Sequence, residues 1–297
     1  MMYNNTQRNF IIGDSWLYYK IYTGSKTSDT ILTEIIKPIT NKLLKDKIID
    51  KWFFIRYADP KHHIRVRFHY DNPEYIGHII NALYSAFKTF IDQDLIWKMQ
   101  IDTYQREIER YGSNTIDIGE TLFYYDSKMI VNFLDLIEGD DGGKLRWLFS
   151  IRAIDSLLNS FKYKIEEKKN LLEDLSIGFK NEFGATKHLR KQLNDKYRKE
   201  GDKLQNFMAL TIENNQGYLI ILELLKEKEI DIEDIDITIL NHHNKGSLEL
   251  NLNNLMSSYI HMLMNRIFKS KNRLHEMVCY DFLYRYYKSM IARGMVF

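Results

Sequence analysis

The chain has 297 residues with 42 Lys+Arg against 40 Asp+Glu, and a formal net charge of +2 argues against a protein built for long-range attraction to polyanions such as nucleic acid. Apolar residues at 44% and aromatics at 13% exclude a disordered chain and supply a sizeable core, in one large domain or about two. The single cysteine, Cys279, rules out an internal disulfide and a multi-thiolate zinc centre, and it fits a reducing cytosol.

The opening residues MMYNNTQRNFIIG lack the basic start and long apolar run of a secretory signal. No window approaches the roughly 18 consecutive apolar residues of a membrane span, so a soluble cytoplasmic protein is expected. Trp16 to Tyr22 (WLYYKIY) is dense in aromatic and β-branched residues between Gly13 and Gly24 and reads as a strand. From Ile31 to Leu43 apolar residues recur at three- and four-residue steps, which predicts an amphipathic helix capped by Ser28 or Asp29. Lys51 to Tyr57 and His62 to Tyr70 read as two strands joined through Ala58-Asp59-Pro60. In the second of these, Ile64, Val66, Phe68 and Tyr70 share one face and Arg65, Arg67 and His69 the other, because successive side chains alternate.

Tyr75 to Ile91 carries the stripe of a second helix, and Trp97 to Arg106 returns to strand alternation. Beyond Gly119 the pattern is mostly helical, with a breaker at Gly139-Asp140-Asp141-Gly142-Gly143. Lys187 to Lys203 reads as a solvated helix or exposed arm, Tyr218 to Leu225 as an apolar helix and Asp231 to Lys245 as an acidic connector. Two helices, Leu250 to Phe268 and Arg273 to Arg293, end the chain. The sum is an α+β fold, a small mainly antiparallel sheet from the N-terminal third covered by a largely helical C-terminal two thirds.

Phosphate-binding glycine loops, the H-E-x-x-H zinc motif and the G-x-S-x-G elbow are all absent. The adjacent pairs His62-His63 and His242-His243 lack the acid- or thiol-rich company that completes a metal site, so no metal is expected. Arg65 and Arg67 are different: two guanidinium forks delivered side by side on a strand suit a carboxylate or phosphate, although a plainly charged, solvated sheet face would use the same residues. In YQREIERYG, Glu107 and Arg110 stand three apart and can pair, as can Arg106 with Glu109, in what would ordinarily be a surface ion-pair lattice. SYIHMLMNRI sets Ser258, His261 and Asn265 on one helical face among apolar residues, the setting of either a core histidine or a working one.

Taken in order, WLYYKIY, KWFFIRYADPKHHIRVRF, TYQREIERYG with ETLFYYDS, and SYIHMLMNRI resemble the signature blocks of the thiopeptide-type bacteriocin biosynthesis domain. That domain also forms the C-terminal glutamate-elimination half of class I lanthipeptide (LanB-like) dehydratases. The resemblance runs from about Trp16 to the last helices and implies that residues 1–297 form a single elimination domain. It implies a lyase that removes glutamate from glutamylated Ser or Thr of a precursor peptide, leaving dehydroalanine or dehydrobutyrine. By resemblance Arg65, Arg67, Glu107, Arg110 and His261 carry the chemistry, with Arg106, Asn265 and Arg266 in substrate binding. The arginines would hold the glutamyl group, His261 would shuttle the proton, and Glu107 would orient an arginine or a substrate amine. Neither cofactor nor metal is implied.

The implied partners are the precursor peptide and a separate tRNA-dependent glutamyl-transferring protein, without membrane span or direct nucleic-acid binding, and homodimerisation is left open. Two further functions share this reading. One is the pyridine-forming formal cycloaddition of the thiopeptide branch, which joins two dehydroalanines and ejects the leader. The other is a non-catalytic peptide-binding scaffold.

Overall fold

Alternation in the aromatic-rich segments builds the sheet. β1 (Asn9–Phe10) is a short strand, and β2 (Trp16–Thr23), β3 (Lys51–Tyr57), β4 (His63–His69) and β5 (Ile96–Ile101) form an antiparallel sheet in the order β3-β4-β2-β5. These come from a computed structural model that describes residues 6–137 and 142–294. The register sets Tyr18 opposite Arg67 and Arg67 opposite Phe53, and one rung on it sets Lys20 opposite Arg65 and Arg65 opposite Ile55. Leu17, Ile21, Ile64, Val66, Phe68 and Phe54 point the other way and are fully buried, as a strict period of two requires.

The helix expected after Ser28 forms in three consecutive pieces: α1 (Thr27–Thr30), a π-helical stretch (Ile31–Ile36) and α2 (Lys37–Lys45). Pro38 has no N–H and its ring crowds the preceding turn. The widened turn lies directly upstream of it, where the Lys37 N–H reaches back to the Leu32 carbonyl. Neither Ser28 nor Asp29 caps this helix. Both instead receive the buried Arg56 of β3, Nη1 to Ser28 Oγ at 2.6 Å and Nη2 to Asp29 Oδ1 at 2.7 Å. α3 (Tyr75–Asp92) packs Ile79, Leu83 and Phe87 inward, with Phe87 against Tyr19. The sheet's apolar face is thus lined by helices of its own third of the chain.

β6 (Tyr104–Gln105) breaks away from the strand run expected from Trp97 to Arg106 and pairs with β1. α4 (Ile108–Tyr111) and α5 (Ile116–Leu136) follow, and Ser127 on α5 accepts the Phe54 N–H at 3.2 Å along β3. Between α4 and α5, Gly112 turns at φ 77°, where an added Cβ would meet Thr115 Oγ1 at 3.0 Å.

The remaining helices are α6 (Gly142–Ser160), α7 (Ile165–Glu182), α8 (Lys187–Met208), α9 (Leu219–Asp231), α10 (Glu233–Asn244), α11 (Leu252–Ile267) and α12 (Asn272–Ala292). The breaker expected at 139–143 falls largely on 138–141, outside the described residues. The charged stretch from Lys187 is a helix, capped by Thr186 Oγ1 accepting the Leu189 N–H at 3.1 Å and anchored by the buried Leu193, Leu204 and Phe207. Asp231 to Lys245 is not a connector. It forms α10, because Ile232, Ile235 and Ile239 are buried at helical spacing and the acids Glu233, Asp234 and Asp236 fall in the first turn, where the helix dipole favours negative charge.

The chain divides into two compact units, one from the described part of Met1–Leu136 with Asn241–Ser258, the other from Ile137–Leu240 with Tyr259–Phe297. The first holds the sheet and the second most of the later helices, an α+β arrangement. Among the described residues no helix is long and apolar enough to cross a membrane.

Candidate functional site

In the first unit, the sheet face opposite the apolar one gathers cations around aromatic rings. Arg67 is only 6% exposed, and its guanidinium carbon lies 4.4 Å from the Tyr18 ring centre, 4.6 Å from that of Tyr104 and 5.0 Å from that of Phe53. Cation–π attraction holds the group in this cage. Its Nε and Nη1 are buried yet hydrogen-bonded to no protein atom, and the Tyr18 hydroxyl beside it is in the same condition. A buried guanidinium with unused donors costs free energy unless an anion completes it.

Arg65, two residues along, stacks 3.6 Å over the Tyr57 ring and donates Nε–H to His63 Nε2 at 3.0 Å. His63 therefore offers Arg65 a lone pair from a neutral ring, and burial, with Arg65 and Lys20 nearby, lowers its pKa below the ordinary histidine value. Lys20 completes the cationic patch and pairs with Asp102, whose pKa the Lys20 hydrogen bond lowers. Burial raises the Tyr18 pKa, while the charges of Arg67, Arg65 and Lys20 pull it back. Planar guanidinium forks and a lysine on a rigid strand support are groups whose chemistry suits a carboxylate.

Sequence spacing placed Arg106 with Glu109, and the structure separates them. Arg106 is 6% exposed and donates Nε–H to Glu120 Oε1 at 2.7 Å and Nη2–H to Glu120 Oε2 at 2.6 Å. It also pairs with Asp117, while Glu109 pairs with Arg8. Glu120, fully buried, takes the Tyr104 hydroxyl at 2.7 Å as well. The Arg106–Glu120 pair therefore braces Tyr104, one wall of the Arg67 cage. Arg106→Ala is expected to destabilise the chain by about 3–5 kcal/mol, since it strands the Glu120 charge; the shift in chemical denaturation midpoint measures it. Glu107 and Arg110 do pair, at 3.3 Å and in solvent, with side chains 62% and 48% exposed. Such a pair adds about 0–1 kcal/mol, which leaves both groups free to turn to a ligand.

In the second unit, His261 and Asn265 are half-buried one turn apart on α11, and Arg266 is fully buried with Nη1 donating to the Met262 carbonyl at 2.9 Å. His261 Nδ1 lies 2.8 Å from Glu276 Oε2 of α12, a carboxylate with no exposure, and the Tyr280 hydroxyl donates to the same oxygen at 3.1 Å. Arg273 bonds Glu182 of α7 and stacks 4.1 Å over Phe179. A histidine held by a buried carboxylate is suited to moving protons.

Sequence reasoning missed Tyr18, Lys20, Glu276 and Tyr280 as members of these groups. The strand alternation of WLYYKIY could have put Tyr18 and Lys20 on one face. No local signal links Glu276 to a histidine one helix earlier. The same unit also holds a cavity of about 690 Å³ among α6, α7, α8 and α12. There Asp155 is already engaged by Lys168 Nζ and by the Tyr287 hydroxyl, each at 2.7 Å.

A family model described as lantibiotic biosynthesis dehydratase C-term matches residues 16–287. The nisin biosynthesis protein NisB of Lactococcus lactis subsp. lactis is 25% identical over 274 residues, covering 90% of this chain and 25% of that protein. The crystal structure of the tRNA-dependent lantibiotic dehydratase MibB from Microbispora sp. 107891 superposes with a TM-score of 0.71 at 18% identity, over 95% of this chain and 29% of that one. The pyridine synthase TbtD from thiomuracin biosynthesis superposes at 0.58 with 9% identity, over 93% of this chain and 100% of that one. The chain spans a quarter or less of the length of the curated relatives it matches. At these identities the structural likenesses establish the fold.

Proposed function

Because the chain belongs to the lantibiotic biosynthesis dehydratase C-terminal family, we propose that it is a glutamate-eliminating lyase acting on a precursor peptide whose Ser or Thr hydroxyls carry glutamate. The two compact units are taken together as one elimination domain. The observation that carries this reading is the caged, unpartnered guanidinium of Arg67 beside Arg65 and Lys20. That arrangement fits a substrate bearing a free carboxylate.

The chemistry follows from the leaving group. Hydroxide leaves poorly, whereas a carboxylate whose conjugate acid titrates near 3.5 leaves readily. The demanding step is removal of the Cα proton, which needs a base and stabilisation of the charge that builds on the adjacent amide oxygen. As the Cα–H bond breaks, its electron pair forms the Cα=Cβ bond and the Cβ–O bond releases glutamate as a carboxylate. Arg65 and Arg67 hold the glutamyl carboxylate and offset developing negative charge, Arg110 and Glu107 orient the glutamyl group from the neighbouring turn, and His261 carries the proton. Asn265 and Arg266 support the His261 helix, and Arg106 acts on the substrate through the Tyr104 wall of the cage. The partner is a protein that transfers glutamate from glutamyl-tRNA to the peptide.

The fold is shared with a pyridine synthase, so fold alone does not separate elimination from cycloaddition. The arginine face favours elimination, because joining two dehydroalanines requires no carboxylate clamp. Mass spectrometry of peptide exposed to the glutamyl-transferring protein, with and without this chain, tests the reading. The lyase converts glutamylated peptide to dehydrated peptide. A scaffold changes yield but leaves glutamate attached, and a cycloaddition enzyme acts only on a peptide already carrying two dehydroalanines, with loss of the leader.

A further inference from the structure

We infer that Glu276 is the positioning residue of the proton-transfer group, fixing His261 in the tautomer that carries its proton on Nδ1 and turns the Nε2 lone pair toward the substrate's Cα–H. The inference rests on the elimination reading above for the role of His261, but its geometric half stands by itself. A carboxylate accepts hydrogen bonds, so the 2.8 Å contact between Nδ1 and Glu276 Oε2 is assigned as Nδ1–H donating to Glu276. In the neutral ring Nε2 is then the acceptor. Glu276 cannot swing away: its side chain has no exposure, and the same Oε2 takes the Tyr280 hydroxyl at 3.1 Å. The histidine, by contrast, keeps 29% of its side chain exposed, enough for substrate to reach it.

The surrounding charges suit a ring that becomes cationic during turnover. From α12 it is faced by Glu276 and, at 3.9 Å from that carboxylate, by Arg273; from α7, Glu182 engages Arg273 and acts on His261 electrostatically. Two carboxylates against one guanidinium leave net negative charge for the imidazolium that forms when Nε2 takes the Cα proton. Burial and the Glu276 charge raise the Tyr280 pKa well above its ordinary value, so its hydroxyl stays a donor and does not compete for the proton. Fixing the tautomer aligns one lone pair with the C–H bond and removes an unproductive state before the reaction begins.

The test uses the full chain labelled with nitrogen-15 in its histidines, and the His261 ring signals are identified by their loss in His261→Ala. The native neutral ring is expected to show Nδ1 protonated and Nε2 bare. In Glu276→Gln, which keeps the shape and the bond to Tyr280, the tautomers mix. Single-turnover glutamate release from a glutamylated peptide then slows by about ten- to a thousandfold, with KM little changed. Glu276→Asp recovers part of the rate. A native ring protonated on Nε2, or an undiminished rate in Glu276→Gln, overturns the inference. The spectra need no substrate, so a chain that shows the Nδ1–H tautomer but releases no glutamate overturns the elimination reading instead.

Discussion

Arg67→Met is expected to cut glutamate release by about a hundred- to a thousandfold, the usual consequence of removing one preorganised donor from a site where charge develops. The same change is expected to leave the chain folded, with a denaturation midpoint equal to or above that of the native protein. The reason is the unpartnered guanidinium: Nε and Nη1 of Arg67 are buried against Tyr18, Phe53 and Tyr104 without an acceptor. A thioether of similar reach fills that space without the desolvation cost, so fold stability alone gives no reason for an arginine at this position. Parallel measurement of glutamate release and urea denaturation checks both halves. A large loss of stability with Arg67→Met would mean that the cage is structural.

His261→Ala is the second large effect. Loss of a positioned proton carrier costs about 10²–10⁴ in rate, and glutamylated peptide is expected to accumulate when the variant is supplied with the transferring protein. Added imidazole restores part of the rate if the missing function is proton transfer, because the small base enters the space that the side chain leaves. Normal dehydration by His261→Ala would remove this residue from the mechanism.

Most of the sheet was legible because alternation is a local signal. KWFFIRY and HHIRVRF form their strands at the expected places, and Arg65 and Arg67 share the expected face. The nature of that face was not legible. A wet, charged surface and a caged guanidinium have the same R-x-R pattern, and what distinguishes them is the approach of Tyr18 and Phe53 from the neighbouring strands and of Tyr104 from a strand pairing with β1. Arg106 went to Glu120 instead of Glu109 because a buried bidentate partner outweighs a solvated neighbour three residues away, and that partner lies 14 residues on, in α5. α10 was hidden by its acids, which read as a connector until their place in the first helical turn over Ile235 and Ile239 is seen. His261 stood out through its polar neighbours, whereas Glu276, 15 residues later, carried no local mark.

The elimination proposed for this chain breaks the Cβ–O bond between peptide and glutamate and leaves the acyl–oxygen bond of the ester intact. Purified chain, mixed with a peptide already glutamylated on Ser or Thr and free of tRNA and of the transferring protein, measures it directly. The account predicts one free glutamate for each dehydroalanine or dehydrobutyrine formed. Recovery of the glutamylated peptide unchanged, from a folded chain, would contradict it.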